Sequence, residues 1–217
     1  MPETTLLLLL NSTLQTLYMV FVSGLFTVAI GLPMGVVLFI TRKGQIKEQR
    51  MIYQPLTFIV NVTRSIPFVI LMITVIPLTR LLVGTSIGTN AAIVPLSLCA
   101  IPFFARIIEN ALIEVNKGLI EAAQAMGATV FQMMTKVMLP EALSSIINGF
   151  TLTIISLIGY SAMAGAVGGG GLGDVAIRYG YQRFEISVML ATIVIMVALV
   201  QIIQLLGDKL AKHFKRG

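Results

Sequence analysis

Glu121-Ala122-Ala123-Gln124-Ala125-Met126-Gly127, closed further on by Leu139-Pro140, lies in a polar break between long apolar spans. Residues 117–136 are too polar to cross a bilayer. Lys117-Gly118 is expected to interrupt the preceding helix, and Leu119 to Met126 reads as a short helix of its own. Ala122, Ala123 and Ala125 form helix readily and carry little bulk, so a partner's backbone can approach closely. Glu121, near the helix start, is favoured by the macrodipole and offers an acceptor to a partner's basic group. Gly127 permits a turn that other residues resist. Pro140 suits the first position of the next helix, and Glu141 its first turn. Two uses fit this pattern: an amphipathic loop resting on a membrane surface, or a helix made to enter a groove on another protein.

The chain around this loop is apolar. Of 217 residues, 57% are hydrophobic and 11% charged, against roughly a quarter charged in a soluble globular domain. Such a chain belongs in a bilayer. The formal net charge is +6, but most basic residues flank apolar spans, so membrane orientation explains them better than nucleic acid does. Cys99 is the only cysteine, which excludes a disulfide framework and a cysteine metal cluster. The lone His213 lies in a basic tail, away from any second ligand, and no metal site is expected. Met1-Pro2-Glu3 supplies no positive region ahead of Leu6–Leu10, so residues 1–13 are expected to be an outer-face or interfacial lead-in and not a cleaved signal.

Five spans are expected, at roughly 14–40, 56–79, 87–112, 141–165 and 186–207. The second is interrupted by Arg64 and Pro67, and residues 50–63 also suit an interfacial helix, with the span starting near Ser65. Arg42, Lys43, Lys47, Arg50, Arg106, Lys117, Lys136, Lys209, Lys212, Lys215 and Arg216 fall on one side. Arg80, Arg178 and Arg183 fall on the other. The positive-inside rule makes the larger set cytoplasmic, which puts the N-terminus outside and the C-terminus inside. The expectation is a single all-α, multi-pass domain over 1–217, with a cytoplasmic loop at 117–140.

The stretch Glu121 to Pro140 resembles the coupling loop of bacterial ABC-importer permeases: Glu-Ala-Ala, three residues, Gly, nine residues, Ile, one residue, Leu-Pro. Val137 stands at the Ile position. Further stretches resemble the methionine-uptake branch: Arg64-Ser65-Ile66-Pro67-Phe68, Gly84-Thr85-Ser86-Ile87-Gly88, and Gly159-Tyr160-Ser161-Ala162-Met163 with its glycine-rich continuation Gly168 to Gly171. The resemblance covers essentially the whole chain. It implies a type I importer permease in the bacterial inner membrane that moves methionine by alternating access as a homodimer. Its partners would be two ATPase subunits and an extracytoplasmic methionine-binding lipoprotein, with lipid around it. It assigns coupling to Glu121, Ala122, Ala123, Gly127, Leu139 and Pro140. The chain has no Gly-Lys pair and so no phosphate loop. ATP and Mg2+ then belong to the partner, no cofactor of its own is expected, and the chain is not an enzyme. An importer for another amino acid or small polar solute is the alternative. A carrier acting without ATP is disfavoured by the loop and by the scarcity of charge within spans.

Met163, near the outer end of the fourth span, is long, apolar and flexible. It suits a dewetting gate across a two-fold axis or simple helix packing. Tyr160 and Ser161 offer hydroxyls to a passing zwitterion or to another helix. Arg64 admits three readings: snorkelling to the interface, pairing within the bundle, or meeting a solute carboxylate. The glycines after Met163 read as a flexible turn at the path's mouth. Arg178, Tyr179, Tyr181, Gln182 and Arg183 suit a docking surface or aromatic anchoring at the headgroups.

Overall fold

The computed structural model describes residues 3–215 and is helical throughout its ordered elements. Met1 and Pro2 of the expected lead-in and Arg216 of the basic tail lie outside the described residues. Helix α1 spans Glu3–Thr41, α2 Arg50–Ser65, α3 Phe68–Thr74, α4 Ile76–Val83 and α5 Thr89–Ile113. The loop region carries α6 (Lys117–Ala125), α7 (Val130–Gln132), a π-helical turn (Met133–Met138) and α8 (Leu139–Glu141). Then come α9 (Leu143–Gly165), α10 (Gly171–Val175), a second π-helical turn (Ala176–Tyr181) and α11 (Ile186–His213). Among the described residues, four helices, α1, α5, α9 and α11, are each long and apolar enough to cross a membrane, and the bent pair α2–α3 makes a fifth if it is one span.

The lead-in is not a separate piece. Leu6–Leu10 belongs to the same 39-residue helix as the first span. The polar residues that follow do not break it, because they bond backward along the helix: the Thr13 hydroxyl donates to Leu9 O at 2.7 Å and Thr16 to Ser12 O at 3.0 Å. Each hydroxyl is thereby satisfied without water.

The second span is not a single straight helix. Helices α2 and α3 meet at 107°. Pro67 disfavours helical backbone in the residue before it, and Ile66 is extended at φ −82°, ψ 125°. The helix therefore stops at Ser65 and restarts at Phe68. Only Val60 of α2 is buried, and Met51, Phe58, Ile59 and Val62 are exposed. Tyr53 meets α5 at Glu109, and Asn61 bonds Arg106. Helix α2 thus advances about two turns while its contacts on α5 advance less than one.

The bundle is built on α1 against α5. A Cβ on Gly35 would stand 2.5 Å from Ala105 O and 2.5 Å from Ile108 Cβ. Only glycine admits that approach. Gly35→Leu is expected to force the two helices apart and abolish accumulation of folded protein, read by fluorescence-detected size exclusion of a tagged chain. One core of Phe39, Phe104, Ile108, Leu112, Met134, Met138 and Ile146 fills the end of the bundle next to α6, here the loop end. A second is formed by Met19, Phe68, Leu96, Leu157 and Ile158, and smaller clusters surround Leu9 and Leu38. Helix α11 buries only Val188, Thr192, Gly207 and Ala211. Its remaining apolar surface is a liability in water and ordinary in lipid.

Candidate functional site

The segment between α5 and α9 is held by local bonds that its own sequence supplies. Helix α5 ends at Ile113, and the break falls at Asn116, not at Lys117-Gly118. The Asn116 side chain caps α6 by accepting from Gly118 N at 2.9 Å, which is the role a short amide plays at an N-cap. The far end closes on Gly127 at φ 75°. Gly127 N donates to Gln124 O at 2.9 Å and Ala128 N to Ala123 O at 3.0 Å. These are the two bonds of a Schellman ending, with glycine at its left-handed position. The next helix opens at once on a capping box. Thr129 N donates to Gln132 Oε1 at 2.9 Å, and Gln132 N to Thr129 Oγ1 at 3.3 Å.

Leu139 and Pro140 do not simply open the following span. The chain widens into a π-turn over Met133–Met138, and Leu139 N reaches back to Met134. Pro140 follows directly. It has no N–H to donate and would crowd the carbonyl four residues back in a regular helix, and such wide turns accommodate that conflict. Helix α9 starts only at Leu143, after a bend at Ala142.

The two alanines of the motif have different surroundings. Ala123 is 2% exposed and packs inward, with Ile120 against the loop-end core. Ala122 and Glu121 face outward. Leu119, Met126 at 81% exposure and Phe131 at 76% stand out from the same segment. Their signal in the sequence is large apolar residues within a stretch too polar to span, and the reading that centred on small residues passed over them. Three bulky apolar groups around a small-residue face are the anchors expected of a helix that enters a groove.

The candidate path residues lie elsewhere. Tyr160, Ser161 and Met163 all sit on the last two turns of α9, away from the loop end. Tyr160 stacks on Phe68, with ring centroids 4.9 Å apart and planes at 16°. Ser161 is buried and donates to Ile158 O at 2.7 Å, so its hydroxyl is spent within its own helix. Met163 is 47% exposed. Arg64 is exposed at the end of α2, and its guanidinium lies 5.7 Å from the Phe103 ring centroid. It forms no ion pair among the described residues, and the structure does not bring it to Met163.

The glycine-rich segment is tied down and is no loose turn. Gly171 N donates to Gln15 Oε1 and Leu172 N to Thr16 Oγ1, both at 2.9 Å, and Gly88 N donates to Gly168 O at 2.8 Å. Helix α1 and the α4–α5 turn thereby hold it. Beyond it, Arg178 Nε donates to Asp174 Oδ1 at 2.7 Å, and this bonding raises the guanidinium above its ordinary value. The Arg183 guanidinium lies 4.5 Å from the Tyr179 ring centroid. Tyr181 and Phe184 are exposed. Two of the expected docking cations thus have partners within the chain.

The whole arrangement matches known proteins. The model of the family described as binding-protein-dependent transport system inner membrane component matches residues 28–216. The chain belongs to that family. It is the helical inner-membrane component of an ABC transporter. It is 56% identical over 206 residues to a probable D-methionine transport system permease protein MetI of Vibrio cholerae, covering 95% of this chain and 92% of the relative. The D-methionine transport system permease protein MetI of Escherichia coli K12 is 54% identical over 165 residues, 76% of each chain. The solved inward-facing MetNI methionine ABC transporter contains a chain that superposes with a TM-score of 0.98 at 51% identity, covering 100% of both.

Proposed function

We propose that this permease forms the transmembrane pathway for methionine in an ATP-driven importer. The observation that carries this is similarity over the full length, 51% identical at a TM-score of 0.98, to a chain of a methionine ABC transporter. In this reading two copies pair about a two-fold axis. Two ATPase subunits bind ATP and Mg2+, and an extracytoplasmic methionine-binding lipoprotein delivers the solute. The basic flanks put the N-terminus outside and the loop in the cytoplasm.

The mechanism follows from the loop. Helix α6 and the start of α7 present Leu119, Ala122, Met126 and Phe131 to a groove on the ATPase. Nucleotide-driven closure moves that groove, and the segment follows as a rigid piece because both its ends are capped. The displacement passes through Ile120, Ala123 and Met134 into the loop-end core, and so to α1, α5 and α9. Solute access alternates as the two permease copies rock. In this reading Met163, which is exposed on α9, meets its counterpart and closes the path to water. Glu121 offers its carboxylate to a basic group on the groove's rim.

The test is ATP hydrolysis by the reconstituted assembly with its cognate ATPase and binding protein. L-methionine, D-methionine and other amino acids are loaded onto the binding protein in turn. Stimulation by either methionine enantiomer supports the reading and decides between L and D. Stimulation by another solute alone overturns methionine and keeps the importer. Phe131→Ala is expected to cost about 2 kcal/mol of ATPase association, a roughly thirtyfold weaker complex. Co-purification at graded ATPase concentration measures it.

A further inference from the structure

Glu109 is the most conspicuous buried charge among the described residues. It lies on α5 one turn before the helix ends and is 0% exposed. Its Oε1 accepts from the Tyr53 hydroxyl at 3.1 Å and faces Arg42 Nη1 at 3.5 Å. Its Oε2 accepts from Arg106 Nη1. Arg106 Nη2 in turn donates to Asn61 Oδ1 at 2.8 Å. The carboxylate therefore joins the residue just past α1, one position on α2, and α5 itself, and Arg106 carries the connection to a second position on α2. Well-packed apolar residues commonly serve stability as well as a buried ion pair does. What the ions add is direction, since each bond fixes one element at one angle.

The cluster adjoins the moving loop. Arg42 opens the α1–α2 connection, which folds back on the end of α1. Gln45 N donates to Arg42 O at 3.1 Å, Lys47 N to Ile40 O at 3.1 Å, Gln49 N to Thr41 O at 3.0 Å, and Gly44 N to Glu48 Oε2 at 3.0 Å. Ile46 of this connection and Ile120 of α6 pack on the same loop-end core. At its other end α2 stops at Ser65, and Phe68 just beyond stacks on Tyr160 of α9, three residues from Met163.

We propose that Glu109 is a positioning residue of the transport cycle, locking α1, α2 and α5 into one body so that displacement of α6 reaches α2 and, through Phe68 and Tyr160, the end of α9. Without the lock, the α1–α2 connection absorbs the motion. The proposal rests on the importer reading above. Arg42 and Tyr53 are the members to change, because removing Glu109 leaves two guanidinium groups facing each other. The Arg42 side chain is 41% exposed, and Tyr53→Phe deletes one hydroxyl.

The measurement is the number of ATP molecules hydrolysed per methionine imported into proteoliposomes holding the complete transporter. Arg42→Gln and Tyr53→Phe are each expected to raise that ratio about threefold or more, with assembly and basal hydrolysis unchanged. The double variant is expected to do no worse than the stronger single one, because both act on one carboxylate. Arg42→Lys, which keeps the charge, is expected to return most of the coupling. Ratios equal to wild type in assembled complexes overturn the proposal. So do fully additive effects, which place the two residues in separate roles. A wild-type transporter that imports no methionine fails the importer reading itself, and that outcome is distinct from a wild type that imports with variants that match it.

Discussion

Glu109→Ala is expected to destabilise the permease by about 3–5 kcal/mol, the usual cost of deleting one partner from a buried ion pair. The carboxylate is fully buried and receives three donors, from Tyr53, Arg42 and Arg106. Its removal leaves Arg106, whose side chain is 16% exposed, with a single remaining acceptor, Asn61. A guanidinium left short of acceptors at such a site is costly. The measurement is the thermal midpoint of the detergent-solubilised assembly, where a fall of roughly 10 °C corresponds to that range for a chain of this size. Glu109→Gln is expected to fall between wild type and alanine, since an amide keeps one acceptor and loses the charge. A midpoint unchanged in Glu109→Ala would show that the cluster relaxes into solvent.

The second large effect is expected at Gly127. Its φ of 75° is left-handed, and a β-branched residue there is strained by about 1–2 kcal/mol. Nothing stands within 4 Å of a Cβ at this position, so the penalty is conformational and not steric. Gly127→Val is therefore expected to leave the membrane domain folded while disrupting the Schellman ending that fixes Ala128 and Thr129 relative to α6. Met126 and Phe131 flank that ending, and both are exposed anchors. Misplacing one against the other lowers coupled turnover roughly tenfold, taking 1.4 kcal/mol of lost docked-state stability per decade. Solute-stimulated hydrolysis against basal hydrolysis in proteoliposomes reads this. Equal stimulation in wild type and variant, at equal ATPase occupancy, would remove the mechanical role from this turn.

The loop was legible because its devices are local. Gly127 acts on backbone within a few residues of itself, so spacing along the chain is spacing in space; Asn116, Thr129 and Gln132 act as locally, but the break was expected at Lys117-Gly118 and the capping box was passed over. Pro67 belongs to the same class: a proline acts on its immediate neighbour, and its position foretold the interruption of the second span. The bend of 107° did not follow, because an interrupted helix can resume in almost any direction. The direction was set by what each half found to bury, Val60 against Leu38 and Ala105 in one case and Phe68 and Met72 against the α9 core in the other.

The ionic cluster was out of reach for a related reason. Arg106 and Glu109 stand three residues apart on one helix face, a visible pair. Tyr53 and Arg42 are 56 and 67 residues from Glu109 in sequence. Hydropathy alone placed Arg106 at the membrane surface and left Glu109 unremarked. The alanines of the motif were similar: composition marked both as small, and only packing turned Ala123 inward and left Ala122 facing out.

Apolar content, the order of its spans and the capped loop between two of them were therefore determined by the sequence itself, because hydropathy and capping are summed over neighbours. Tertiary structure alone decided which residues meet across the bundle: Glu109 with Arg42 and Tyr53, Phe68 with Tyr160, and Gly35 with Ala105. Those meetings depend on helix rotation and crossing angle, which are set by close packing among segments far apart in the chain.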